Sequence, residues 1–282
     1  MASPSRKALG IIAGGGDLPL AIAGCARESG REVFILALTG SADEAVAAYP
    51  HEWIAVGEVG KAIKALHAHD CDEVLLAGKL DRPKFSEIKL DVKAVLVAPR
   101  VIAASFKGDD ALLRSVVDIF EREGLRVVGA AEAAPGLLAP EGQMGRVAPS
   151  QESKDDIGTA FKIVRAMGAL DIGQAAAVCG GLTLAVEAAE GTDAMISRIA
   201  NLPEHFRGTA AKRRGVLAKA PKPIQDRKTD LPVIGLATVK NAAAVGLAGI
   251  AVEAGGALIL GKRAVIDEAD RLGLFLVGVP PA

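Results

Sequence analysis

Between Lys219 and Gly235 the chain reads KAPKPIQDRKTDLPVIG, where residue types and spacing point most directly to chemistry. Lys219, Lys222, Arg227 and Lys228 are cations able to bind and polarise phosphate oxygens. Asp226 and Asp230 are carboxylates able to hold a divalent cation or to orient a water. Carboxylates beside a phosphate repel it, so acids set among these bases make most sense with magnesium, or manganese, between them. The combination favours metal-assisted phosphoryl or nucleotidyl hydrolysis over redox chemistry. Asp226, Asp230, Lys222 and Arg227 are the expected catalytic groups. A second acidic knot lies in VEAAEGTDAM, where Glu187, Glu190 and Asp193 fall within seven residues and Thr192 opens a helix. Glu187 and Asp193 are the expected metal ligands alongside Asp226. No Ser/His/Asp or Cys/His arrangement is evident, and water is the simplest nucleophile. The plain alternatives are a solvated connector for the loop and a capped helix for the acidic knot.

Pro221, Pro223 and Pro232 lack a backbone donor and fix their own φ, so neither a helix nor a central strand runs through this loop. GVLA precedes it and VIGLA follows its end, so a strand should lead in and a buried element should follow. Near the amino terminus, residues 9–13 read as a strand, GGGDLP as a turn, 20–29 as a helix and 33–38 as a second strand. That order opens a doubly wound sheet with a ligand loop at the strand's carboxyl end. Gly14, Gly15, Gly16, Asp17 and Leu18 are expected to bind substrate there, since glycines permit close backbone approach and the helix terminus favours an anion. The spacing is not GxGxxG, and Asp17 opposes a phosphate, so a NAD role is disfavoured. Lys79 and Arg82, in GKLDRP after the strand at 73–77, are placed to pair with phosphate oxygens. Thr192, Lys219 and Lys228 complete the expected substrate contacts.

Composition narrows the function classes. With 33 basic and 34 acidic residues, the chain has no polyanion-binding signature, and 7 Phe, 1 Tyr and 1 Trp offer little for base stacking; nucleic acid is not an expected partner. Three cysteines without a CxxC pair argue for a reducing compartment and against a thiolate zinc site. The amino terminus lacks a secretory pattern, and the apolar run at 242–260 is interrupted by Glu253 and Gly255–Gly256. A cytoplasmic protein is expected, with homodimerisation a reasonable prior.

At 282 residues, two α/β domains are expected: a Rossmann-like first domain over 1–132 with a mostly parallel sheet, a linker or crossing loop over 133–150, and a mixed α/β catalytic domain over 151–282. Further strands are expected at 53–56 and 125–129, and helices at 60–69 and 111–123, with Asp109 and Asp110 as cap and first-turn acid. In the second domain the expected order is a helix over 152–167 capped by Ser150, a hairpin at 175–178 and 182–188, and a helix completed over 196–202. A helix over 238–254, a strand at 257–260, a helix at 265–272 and a strand at 275–279 should follow. Residues 205–228 are strongly basic, and cations near Arg213 are suited to an anionic membrane surface.

Taken together, IAGGGDLP (12–19), AGKLDRP (77–83), KGDDALL (107–113), VEAAEGTDAM (186–195) and KPIQDRKTDLPVIGLAT (222–238) resemble the LpxI family over nearly the whole chain. The order of motifs is more specific than any one of them, and QDRKTDLP carries most of the weight. The resemblance implies hydrolysis of UDP-2,3-diacylglucosamine to UMP and 2,3-diacylglucosamine 1-phosphate (lipid X), by water attack at the α-phosphorus with magnesium present. It also implies that Asp226, the aspartate after Gln225, is the critical catalytic residue, as a magnesium ligand or as the group positioning water. A UDP-diacylated glucosamine lipid requires an apolar groove, and a peripheral place on the cytoplasmic face of the inner membrane is then expected. The competing class is a non-enzymatic sugar-nucleotide or lipid carrier, which would leave Asp226 and Asp230 without a task.

Overall fold

The computed structural model describes residues 7–80, 90–106, 109–223 and 231–281. The chain divides into two units, Met1–Gly136 and Leu137–Ala282.

In the first unit, β1 (Ala8–Ala13), β2 (Val33–Leu38), β3 (His51–Ile54), β4 (Cys71–Ala77) and β5 (Arg126–Val127) form a parallel sheet in the order β3-β2-β1-β4-β5. This is a doubly wound, Rossmann-like order, and its direction reverses between β1 and β4, where such sheets bind ligands. β1 and β2 are buried throughout, as strands covered on both faces must be. The crossovers are helical: α1 (Leu18–Glu28), α2 (Val59–Ala68), α3 (Val92–Ser105) and α4 (Asp109–Glu121). α3 was not anticipated. Its sequence, VKAVLVAPRVIAAS, carries Pro99 inside and lacks a polar face, so it gives neither a clean helical period nor a strand signal. The strand expected at 53–56 forms at His51–Ile54, in register with Ile35–Leu38 of β2.

Beneath the sheet edge Glu73 accepts from Arg31 at 2.6 Å and pairs with Arg126. Burial pushes its carboxyl up, but the two guanidinium groups outweigh that and hold it below the usual carboxylate range. Arg126 is more than half exposed and solvent screens its share, so buried Arg31 carries most of the interaction. Because the folded-state value is depressed, the stabilisation is complete above the ordinary carboxylate range and is lost as pH falls through the depressed value. Urea unfolding should show Glu73→Gln about 1–2 kcal/mol less stable than the unmodified protein at pH 7, with the difference narrowing as pH falls below the ordinary carboxylate range. A difference that does not change as pH is lowered through the acid range would contradict the ion-pair account.

The second unit holds α6 (Gln151–Ala169) and a six-stranded mixed sheet, ordered β6 (Gly142–Gln143), β13 (Phe275–Val279), β11 (Gly249–Glu253), β9 (Val216–Lys219), β7 (Ala175–Cys179) and β8 (Leu182–Val186) among the described residues. β9, β11 and β13 are parallel, and β6, β7 and β8 add antiparallel pairs. Ile157, Ala160, Phe161 and Val164 form one buried stripe of α6, and Ser150 accepts from the Ser153 N–H at 3.1 Å as its cap. Asp156, also on that face, accepts from the Gly180 and Gly181 N–H groups and anchors the β7–β8 hairpin. Residues 138–146 run along this unit: Ala139 N–H donates to Ala257 O, and Gln143 pairs with Val277 of β13.

One expected element is overturned. The helix expected over 238–254 is α8 (Leu236–Ala244) followed by β11. Gly246, at φ +83°, ends the helix and meets Gly208 backbone too closely for any side chain. The apolar run beyond it sits fully buried between β9 and β13, where sheet pairing decides its conformation. No helix among the described residues is long and apolar enough to cross a membrane.

Candidate functional site

The glycine turn of the first unit lies at the β1–β4 switch point. Gly14 N–H donates to Ala77 O, Gly15 N–H to Lys79 O at 2.7 Å, and Lys79 N–H to Gly15 O at 2.8 Å. The first two glycines are therefore engaged with the β4 turn. A Cβ on Gly14 would stand 2.4 Å from Lys79 O, and one on Gly78 2.7 Å from Gly15 O. Close approach of chain to chain is thus reason enough for glycine at these positions. Gly16 and Asp17 are exposed, Leu18 begins α1, and the Asp17 side chain makes no cap bond to it. Lys79 stands exposed beside them. The turn thus presents open helix N–H groups and one nearby ammonium, a combination suited to an anion.

In the second unit, the end of β9 brings several expected residues together. Lys219 is buried, 4% exposed, and its Nζ donates to Thr192 Oγ1 at 2.9 Å and to Val233 O at 3.0 Å. Thr192 Oγ1 in turn donates to Glu187 Oε1 at 2.8 Å, and Glu187 Oε2 accepts from Gln174 N–H at 3.2 Å. The local folding is legible: β9 pairs antiparallel with β7, so Lys219 faces Ala175, and α7 (Gly191–Ile199) starts just after β8 with Thr192 in its first turn. A buried ammonium held by fixed partners at the root of the loop is an oriented positive charge, of the kind that can stabilise charge developing on a phosphate without reorganisation.

Other expected residues stand elsewhere. Lys222 donates to Asp171 at 2.7 Å. Asp193 is exposed and accepts from Asn241 Nδ2 at 3.0 Å. Arg82, Asp226, Arg227, Lys228 and Asp230 lie outside the described residues, as do Lys107 and the side chains of Asp109 and Asp110. Much of the basic stretch is spent internally, since Arg213 donates to Ala243 O and Arg214 to Glu152. Burial pushes the Cys71 thiol up to about 11 and raises that of Cys179, so both are protonated at neutral pH and neither is a poised nucleophile.

Glu253, the last residue of β11, was not among the expected site residues. It is buried, and a Cβ on Gly256 would meet both its Oε1 (2.6 Å) and Pro221 Cδ (3.1 Å), so its carboxylate lies beside the loop's first proline. Its signal was a lone acid in the apolar run at 242–260, which served only to argue against a membrane span. As for a metal, no group of three or more His, Cys, Asp or Glu among the described residues can hold an ion. Both Glu187 oxygens already accept hydrogen bonds, and Asp193 pairs with an amide. The described carboxylates alone do not fit a divalent cation.

The chain matches known proteins along nearly its full length. The LpxI N-terminal domain matches residues 8–137 and the LpxI C-terminal domain residues 140–277. A UDP-2,3-diacylglucosamine pyrophosphatase LpxI from Caulobacter vibrioides is 50% identical over 275 residues, covering 98% of each chain. Among solved structures, N5-carboxyaminoimidazole ribonucleotide synthetase from Thermotoga maritima is 13% identical with a TM-score of 0.25, covering 66% of this chain and 42% of that one, a likeness too slight to carry an argument. With both halves matched in order and 50% of residues shared with a full-length relative, the chain belongs to the LpxI family.

Proposed function

We propose that the protein hydrolyses the pyrophosphate of UDP-2,3-diacylglucosamine to 2,3-diacylglucosamine 1-phosphate and UMP. The observation that carries this reading is the 50% identity, across 98% of both chains, to a UDP-2,3-diacylglucosamine pyrophosphatase. Water attacks the α-phosphorus, and Asp226 positions it. Lys219, oriented by Thr192 and Val233 O, meets the charge that develops on the phosphate oxygens. The open N–H groups at the start of α1 and the Lys79 ammonium form an anion-binding surface for the substrate. Magnesium, with manganese as its substitute, is proposed because carboxylates and phosphates otherwise repel, with Asp226 as the ligand that the loop contributes. The enzyme works in the cytoplasm against the inner membrane surface, as the lipid character of the substrate requires, and homodimerisation belongs to the same proposal.

The test is UMP release from UDP-2,3-diacylglucosamine by the unmodified protein, with magnesium and with chelator. Magnesium-dependent release supports the hydrolase. Release that is unaffected by chelation overturns the metal while leaving the reaction. A folded protein that binds the lipid and releases no UMP is the carrier instead.

A further inference from the structure

The acidic knot around the start of α7 is turned inward at one residue. Glu190 and Asp193 are exposed, the first paired with Arg198 and the second with Asn241. Glu187 is buried, 6% exposed, and reaches the root of the 219–235 loop through Thr192. The directions of the two hydrogen bonds at Thr192 are forced, because an ammonium can only donate and a carboxylate only accept. Lys219 Nζ gives a proton to Thr192 Oγ1 at 2.9 Å, so the single hydroxyl proton must go to Glu187 Oε1 at 2.8 Å. With its proton committed, the hydroxyl keeps its lone pairs toward the lysine, and the carboxylate polarises it into a stronger acceptor.

The far end of this relay is pinned as firmly. Glu187 N–H donates to Ala175 O at 2.9 Å, while Glu187 Oε2 accepts from Gln174 N–H at 3.2 Å. Gly173 permits the approach, since a Cβ there would stand 2.1 Å from Glu187 O and 3.2 Å from Glu187 Cβ. Ala175 lies opposite Lys219 in the β7–β9 pair, so one strand end carries both ends of the relay. We propose that Glu187 and Thr192 are positioning residues: the carboxylate fixes the hydroxyl, and the hydroxyl fixes the Lys219 ammonium in the direction in which it meets the phosphate. Glu187 then serves the lysine and is no ligand of magnesium. The inference rests on the function proposed above for the task of Lys219, and on the forced chain of hydrogen bonds for the two residues behind it.

The test compares Thr192→Val, which keeps the shape and loses the hydroxyl, with Thr192→Ser and Glu187→Gln. UMP release is followed against lipid and magnesium concentration. Thr192→Val should lower kcat about a hundredfold, the scale of a misplaced reacting group, with KM changed less than about threefold. Thr192→Ser should recover most of the rate. Glu187→Gln should lower kcat about tenfold and leave the half-saturating magnesium concentration where it was. A rise of about tenfold in that concentration would make Glu187 a metal ligand and overturn the relay. A serine variant no better than the valine one overturns it too. The second readout needs no turnover: acylation of Lys219 by an N-hydroxysuccinimide ester, measured by peptide mass spectrometry. Loss of one hydrogen bond to a charged group should speed it about tenfold in Thr192→Val. Lys262, held by Leu138 O in the same unit, is the control and should not change. An unchanged Lys219 rate, or a rise shared equally by Lys262, counts against the relay even if kcat falls. If the unmodified protein releases no UMP, the hydrolase falls, and Lys219 acylation alone decides whether the relay holds the ammonium.

Discussion

Asp226→Ala is expected to abolish UMP release, lowering kcat about a thousandfold, within the range for loss of a group that manages the proton or water in the transition state. Melting temperature and lipid binding should stay close to those of the unmodified protein. The argument is local. Asp226 is an acid set among bases in the sequence, between Pro223 and Pro232. The segment starts just beyond Lys219, whose ammonium is fixed at the end of β9. An acid placed beside cations that serve phosphate costs substrate binding unless it works in the reaction, so its removal should spare binding and remove turnover. Asp226→Asn, which keeps the shape without the charge, should be nearly as inactive. A near-normal rate for either variant would sink the assignment.

Lys219→Met should damage both stability and turnover. It withdraws the donor from Thr192 Oγ1 and Val233 O and leaves Glu187, 6% exposed, as a buried carboxylate without its nearby cation. Withdrawing a buried, charged hydrogen-bond donor from its acceptors costs about 2–3 kcal/mol, which corresponds to a fall of roughly 5–10 °C in Tm. Because Lys219 and Glu187 are linked through Thr192 Oγ1, the double variant Lys219→Met/Glu187→Leu should recover a large part of the lost stability while remaining inactive. Thermal unfolding together with UMP release separates the two effects. Failure of the double variant to recover stability would show that Glu187 and Lys219 are not electrostatically coupled. Activity retained by the refolded double variant would remove Lys219 from the phosphate's surroundings.

How far the sequence alone reaches is clearest from particular residues. Short-range physics determined the alternation of strands and helices in the first unit, since covered parallel strands read as unbroken apolar runs such as VFILAL. It also determined the Ser150 cap, the CGG hairpin and the strand leading into the 219–235 loop, each a matter of a few adjacent residues. The ordered motifs were enough to suggest the family. What only the tertiary structure decided depends on partners far apart in the chain. The run at 249–253 is a strand because β9 and β13 flank it, whereas its own composition suits a helix equally well. Glycine at Gly14 is required by the Lys79 carbonyl, 65 residues away. Glu187, at the centre of the acidic knot, is tied to Lys219 through one threonine, because antiparallel pairing of β7 with β9 brings the two ends together.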